Sequence, residues 1–388
     1  MENNTADVLI IGAGVHGASL AHALSRRGAR VIVLERRHTA SGATGRSSGL
    51  VRMHYDLEVE ARLAWESFGM FRKWQELIGG ECGLIQTGFL FLAHPDSHAE
   101  LRANVAMQQR IGIQTQVVTA IQVQELAPTL FTGDFELAAY EPESGYADPT
   151  LTTTALVRGA QKMGALLVQD SPVSGLTVSG GRITGVETLH GTFSAPIVVN
   201  AAGAWAGPVA RLAGLDLPLT TWRHDIAFLR RPSGMPGHPA VIDQIQAMYF
   251  RPETGGLTLI GLEDGNPLGL SPEEDRGAPQ GFVDRAVDRL CRRIPGMVEG
   301  SYHSTQGGFD GISPDQHPLI GPAGPEGFYL DCGFSGTGFK IAPAVGETLA
   351  VRILEGKWGV VDLSAFDPMR FARGEHLKSD NPYEMMWR

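Results

Sequence analysis

Two sets of residues in this chain have the types and spacing to do chemistry. The first is Gly12-Ala13-Gly14-Val15-His16-Gly17, a G-x-G-x-x-G run. It directly follows the apolar stretch Val8-Leu9-Ile10-Ile11 and opens a helical pattern over 15–27 that Gly28 stops. Strand, glycine turn and helix start together give the motif its meaning. Gly12 allows the tight turn, Gly14 lets backbone approach a pyrophosphate, and Gly17 lets the helix pack closely on the strand. The helix start, with Ala13, Val15 and His16 around it, offers N–H groups and partial positive charge to phosphates. Glu35 closes the second apolar stretch, Val31-Ile32-Val33-Leu34, and Arg36 follows it. An acid at that position accepts hydrogen bonds from ribose hydroxyls and disfavours a 2′-phosphate. The signature fits FAD or NAD and does not choose between them.

The second set consists of small residues that recur far from this motif. Ser41-Gly42-Ala43-Thr44-Gly45-Arg46-Ser47-Ser48-Gly49, followed by Leu50, is a loop able to wrap a diphosphate and let a flat ring lie against backbone. Ser41, Thr44, Arg46, Ser47, Ser48, Gly49 and Leu50 are its candidate cofactor contacts. Val199-Asn200-Ala201-Ala202-Gly203-Ala204-Trp205 ends a strand in small residues, as a second close approach to a cofactor requires, through Ala201, Ala202, Gly203 and Trp205. Gly333-Phe334-Ser335-Gly336-Thr337-Gly338-Phe339-Lys340 feeds the last helix. That helix start could stabilise the negative charge that reduction builds on a flavin pyrimidine.

The elements that must position these residues alternate between strand and helix patterns. Helices are expected at 57–78 (Leu57, Ala61, Ala64, Phe68, Phe71, Trp74 and Ile78 at helical spacing), around Leu101, Val105 and Ile111, and at 151–163, 283–294 and 341–354. Strands are expected at 166–168, 197–199 and 328–330, with a hairpin of 173–178 and 183–188 turned at Gly180-Gly181 and β character over 220–262. The 388 residues suggest two to three domains. With no repeat and no evident linker, these are expected to be interleaved. The net charge of −10 argues against a nucleic-acid binder and a polybasic membrane anchor. Cys82, Cys291 and Cys332 have no metal or disulfide spacing. A polar start, Met1 to Asp7, and the lack of any apolar run long enough to span a bilayer point to the cytoplasm.

Taken together, GAGVHG with Glu35, SGATGRSSGLVRMHY, VVNAAGAWA, SPDQHPLIG and GFSGTGFK resemble the D-amino-acid-oxidase-like flavoprotein superfamily. Within it the sarcosine oxidase branch is nearest, above all the β subunit of the heterotetrameric enzymes, with monomeric sarcosine oxidase and glycine oxidase also similar. The motifs run from residue 8 to residue 340 in the family's order. The resemblance implies a mixed α/β fold: a glutathione-reductase-type, Rossmann-like FAD-binding domain (1–50, 146–215 and 310–388) with an interleaved sheet-rich substrate domain (51–145 and 216–309). It implies FAD-dependent oxidation of the C–N bond of an amino acid or N-alkyl amino acid, by hydride transfer to flavin N5. The product is an imine that hydrolyses, and the electrons pass to O₂ or another acceptor. It adds Val173, Gly308, Asp310, Gly336, Thr337, Gly338, Phe339 and Lys340 to the cofactor set.

For the substrate, Arg52 matches the family arginine that binds the carboxylate, and Lys340 the lysine that shares it. A guanidinium fork suits a planar carboxylate. Two such cations would depress the amine pKa, so a base is not required; His54 and His224 are candidates if one exists. Tyr55, Tyr249, Phe250 and Trp205 could wall the pocket, and Arg251 is the second-choice anion contact. The chain departs from the family in two places. Gly308 stands near where monomeric sarcosine oxidases attach FAD through cysteine, so non-covalent FAD is expected. Thr258 aligns with their O₂-activating lysine, which leaves oxidase and dehydrogenase both open. A homo-oligomer or a partner subunit is compatible with the resemblance. The alternatives are a flavoenzyme acting on C–O bonds of 2-hydroxy acids or glycerol 3-phosphate, an NAD-binding dehydrogenase, and a non-catalytic FAD-binding subunit.

Overall fold

The computed structural model describes residues 4–273 and 277–383. Met1–Asn3 of the polar start and 384–388 of the expected cofactor-binding segment lie outside the described residues. Two large sheets face each other. A six-stranded sheet runs in the order Leu319–Pro322, Phe328–Cys332, Ile197–Asn200, Val8–Ile11, Val31–Leu34 and Leu166–Val168. All its pairs are parallel except the first, an antiparallel hairpin. Parallel strands need crossovers that cover both faces, so they read as unbroken apolar runs. One face carries helix Val15–Arg26, packed against Pro149–Lys162 and Gly338–Glu355. The other carries the three-stranded meander Val173–Ser179, Arg182–Thr188 and Gly191–Ser194, whose Ile183, Val186 and Phe193 pack on Leu9, Ile32 and Val198.

The eight-stranded sheet runs Ser301–Ile312, Thr220–Arg230, Leu257–Leu262, Met248–Glu253, Ala240–Asp243, Phe89–Leu92, Leu137–Glu141 and Gln116–Thr119. Its side chains alternate. Val241, Met248, Phe250, Ile260 and Leu262 pack under helix Gln280–Arg293, while Ile226, Ile242, Tyr249 and Leu259 face the other way, toward the six-stranded half. The six-stranded sheet draws its strands from within 1–50, 146–215 and 310–388. The eight-stranded sheet draws seven from within 51–145 and 216–309, and its edge strand Ser301–Ile312 runs across the expected boundary at 309.

The helix expected at 57–78 is two helices, Glu58–Arg72 and Trp74–Leu77. Lys73 leaves helical backbone between them, and Trp74 stacks on Phe71 with ring centroids 5.3 Å apart. The last helix begins at Gly338, three residues before its expected start, so Lys340 lies in its first turn.

Arg293, fully buried, ties the helix Gln280–Arg293 to the sheet. Its Nε donates to Asp243 Oδ2 (2.7 Å), and its two terminal nitrogens donate to Asp134 (2.7 and 3.0 Å). Asp243 also accepts from the N–H groups of Ile245 and Gln246, each at 3.0 Å, and so shapes the turn into the strand that carries Tyr249. Breaking a buried ion pair from one side strands the other charge, at a cost of about 3–5 kcal/mol. Arg293→Met is expected to lower unfolding stability by about that amount in urea titration, with Asp243→Asn alone costing less.

Candidate active site

The glycine motif is built as its spacing requires. Gly12 has φ +108°, and a Cβ there would lie 2.5 Å from the Ala201 carbonyl oxygen. A Cβ on Gly17 would lie 2.0 Å from the Gly12 oxygen, so the helix could not seat. A Cβ on Gly14 would meet only Thr44 Oγ1, at 3.2 Å, which leaves the space above Gly14 to a ligand. Glu35 braces the loop. Its Oε2 accepts from Ala13 N (2.8 Å), and its Oε1 accepts from Arg37 N (2.8 Å) and Ser41 Oγ (3.2 Å). A carboxylate has about four acceptor sites, so capacity remains for ribose hydroxyls.

A cavity of about 560 Å³ lies between the two sheets. Gly12, Gly14, Val15, His16, Glu35 and Arg36 line it, as do Ser41, Thr44, Arg46, Ser47, Ser48 and Leu50. So do Val173, Ala201, Ala202, Gly203, Trp205, Gly308 and Asp310, and from the last glycine run Gly336, Gly338, Phe339 and Lys340. Three expected contacts stand just behind. Ala13 is fully buried under Glu35. Gly49 turns the chain at φ +66°, where a Cβ would lie 2.2 Å from Ala147 O. Thr337 closes the last turn before the helix by donating to Phe334 O at 2.7 Å.

At one end of the cavity Arg52 and Lys340 come together. Both line it, at 2% and 6% exposure. The Arg52 guanidinium lies 4.6 Å from the centre of the Tyr55 ring, and Lys340 Nζ lies 5.6 Å from it. Arg52 donates through Nη1 to the His54 carbonyl, while its Nε has no hydrogen-bond partner among the described residues. Burial, then the neighbouring Arg52, push the Lys340 pKa well below its ordinary value. On the facing sheet, His224 and Tyr249 line the cavity and share a 2.6 Å hydrogen bond between Nε2 and the hydroxyl. Tyr249 lies across Gly261, where a Cβ would fall 2.3 Å from its ring.

Five expected substrate-side residues do not line the cavity. His54 is buried behind Arg52, bonded to Gln108 Oε1 (3.1 Å) and to the Tyr383 hydroxyl (2.8 Å). Burial and the Arg52 charge push its pKa down to about 3, so it is an unsuitable base. Thr258 and Phe250 fall on the helix-facing side of their strands. Thr258 Oγ1 instead meets His238 Nε2 at 2.9 Å. Arg251 is committed to the Ser48 and Pro252 carbonyls and to Glu253 at 2.9 Å, with its guanidinium 4.1 Å from the Tyr146 ring centre. Tyr55 is the platform under the two cations, and its hydroxyl donates to Thr337 O at 3.3 Å.

Two acids of the cavity were not among the expected contacts. Asp331, at 1% exposure, sits 3.4 Å from His16 Nδ1, and neither of its oxygens has a hydrogen bond among the described residues. Glu263 lines the substrate end. Its signal was available: it continues the alternation of Leu259 and Gly261 onto the cavity face.

A largely parallel sheet with a phosphate-binding turn at its first strand, opened against a second sheet by a deep cleft, is the architecture of a dinucleotide-binding protein. The profile of the family described as "DAO: FAD dependent oxidoreductase" matches residues 7–352, and the chain belongs to that family. FAD is therefore its cofactor. Human mitochondrial sarcosine dehydrogenase is 31% identical over 98% of this chain, which spans 42% of that relative's length. Sarcosine oxidase subunit beta of Arthrobacter sp. is 28% identical, covering 96% of this chain and 92% of its own. Among solved structures, L-proline dehydrogenase from P. horikoshii superposes with a TM-score of 0.90 at 29% identity, covering 97% of this chain and 100% of that one. No helix among the described residues is long and apolar enough to cross a membrane.

Burial holds His54, His224 and His238 neutral, at about 3, 4 and 4 against an ordinary 6.5. The unfolded chain takes up protons on these histidines below pH 6.5 that the fold refuses, so their contribution to stability is full above that pH and is lost as pH falls toward 4. The urea midpoint is expected to fall between pH 7 and pH 5. His54→Gln, which retains a polar group between Gln108 and Tyr383, is expected to make that decline shallower.

Proposed function

We propose that this chain oxidises the C–N bond of an amino acid or N-alkyl amino acid, with O₂ or another acceptor re-oxidising the cofactor. The observation that carries this reading is the pair Arg52 and Lys340, two buried cations at one end of a cleft lined at its other end by the phosphate-binding turn. Bound FAD supplies a hydride acceptor. Residues 1–50, 146–215 and 310–388 form the part that holds it. Glu35 would take the ribose, the turn at Gly12–Gly14 and the loop Ser41–Ser48 would take the diphosphate, and Gly336–Phe339 at the last helix start would favour negative charge on the ring. Gly308 packs against the Arg46 side chain and leaves no thiol at that point, which supports non-covalent attachment.

Residues 51–145 and 216–309 supply most of the substrate side, and Lys340 reaches it from the cofactor part. Arg52 and Lys340 receive the carboxylate, held in place by Tyr55 and the His54 carbonyl. Their positive charge favours the neutral amine, the form able to release hydride. His224 and Tyr249 wall the pocket on the facing sheet and exclude water from the reacting carbon. With Thr258 facing away from the cavity, Lys340 is the lysine among the lining residues, and it is the side chain placed to meet an oxygen acceptor.

Anaerobic titration of the purified flavoprotein tests this. Sarcosine, dimethylglycine or proline is expected to bleach the flavin, and 2-hydroxy acids and glycerol phosphate are not; the reverse pattern would transfer the site to a C–O enzyme. Arg52→Ala is expected to retain FAD and lose roughly 10²-fold in kcat/KM, the order expected when a buried charge pair loses one partner.

A further inference from the structure

The substrate end contains one acid that the proposed roles leave unused. Glu263 follows strand Leu257–Leu262 and keeps its pleat, so its side chain joins Leu259 and Gly261 on the cavity side. Its N–H donates to Ala247 O at 2.9 Å, at the turn before Met248, which anchors its backbone. The side chain is half-buried, and its Oε2, closed to solvent, has no hydrogen-bond partner among the described residues. It attracts both Arg52 and Lys340 yet forms no ion pair with either among the described residues. A carboxylate oxygen closed to solvent and left without a partner is costly unless a ligand completes it.

An amino acid completes it. In water the substrate is a zwitterion. Arg52 and Lys340 satisfy one end, and the other end is a cation seeking an acceptor. We infer that Glu263 receives the substrate's ammonium group and takes from it the proton that must leave before hydride can. This rests on the amine reading above. One N–H bond breaks and one O–H bond forms, R₂NH₂⁺ with Glu263 carboxylate giving R₂NH and the carboxylic acid. No electrons move in this step, and the proton returns to solvent when product leaves. Burial raises the Glu263 pKa to about 7, which Arg52 and Lys340 oppose and Asp264 reinforces. Tyr249 and His224, also facing it, are both uncharged at that pH, since burial raises the tyrosine pKa and lowers that of the histidine to about 4. A carboxyl near 7 is well matched to relay a proton at neutral pH. A 2-hydroxy acid offers no cation here, so Glu263 also selects amines over alcohols.

The test pairs amines with oxygen isosteres: sarcosine with methoxyacetate, and proline with tetrahydrofuran-2-carboxylate. Binding is read from the flavin spectrum and reduction by anaerobic stopped flow, for wild type, Glu263→Gln and Glu263→Asp. Glu263→Gln is expected to weaken the amines roughly ten- to hundred-fold, the value of a charge-assisted hydrogen bond, while the isosteres bind as well or better. In wild type the reduction rate is expected to rise with pH through about 7 as the carboxylate forms. That limb should vanish in Glu263→Gln and return in Glu263→Asp. Equal weakening of amine and isostere, or an acid limb unchanged in Glu263→Gln, would overturn the inference. Wild type that binds amines in a Glu263-dependent way but is bleached by neither would overturn the amine oxidation reading and leave the ammonium site standing.

Discussion

Arg52 and Lys340 are buried against the same aromatic ring, and burial together with the Arg52 charge pushes the lysine's pKa well below its ordinary value. The surrounding structure exists in large part to make that tolerable. Tyr55 presents its ring to both cations, and Arg52 is fixed from behind by the His54 carbonyl. Four carboxyls stand around them. Glu141, fully buried, accepts from Met53 N (2.9 Å) and Ser144 Oγ (2.6 Å), and burial raises it to about 6 despite Arg52. Glu60, also fully buried, meets His317 Nδ1 at 3.2 Å. Asp310 accepts from the N–H groups of Gly311 and Gly336, each at 2.8 Å, and Glu263 faces the cavity itself. These acids come from both halves of the molecule, so the charge balance of the pocket exists only when the two sheets are assembled.

The cofactor half was largely legible in the sequence because its requirements are backbone requirements. A Cβ clash at Gly12 or Gly17 is a property of a short segment and the strand beside it, and a glycine run announces it. Parallel strands buried on both faces announce themselves as apolar runs, and Val8–Ile11, Val31–Leu34 and Ile197–Asn200 were readable for that reason. The long edge strand Ser301–Ile312 was not. Its sequence, with Tyr302, His303, Ser304 and Gln306, is polar because half of it faces solvent, and only its partner Thr220–Arg230 gives it a place.

The substrate half resists such reading because a one-residue offset in a strand reverses which face a side chain takes. Thr258 and Glu263 differ in this way. A motif match placed the first at the site, whereas the pleat turns it toward His238 and brings the second to the cavity. Phe250 and Tyr249 are adjacent and fall on opposite faces for the same reason. His54 shows another limit. Two residues from Arg52, it is near the site in sequence, yet its ring points into the core and its contribution is a carbonyl.

The two ends of the cleft are tied with unequal strength. At the far end Glu273 reaches across to Arg36 Nη1 (2.6 Å) and to Trp205 Nε1 (2.7 Å), with Arg36 lying 4.6 Å from the centre of the Trp205 ring. These groups are substantially exposed, and such a pair contributes about 0–1 kcal/mol. At the substrate end most of the charges are buried and each depends on several others, so removing one leaves its partners unsatisfied. A cofactor held mainly by backbone and loop needs little more than the right shape at its end. A small zwitterion has few atoms with which to be recognised, and nearly all its discrimination must come from fixed charges. The concentration of buried ionisable residues at one end of an otherwise apolar seam follows from that difference in ligand size.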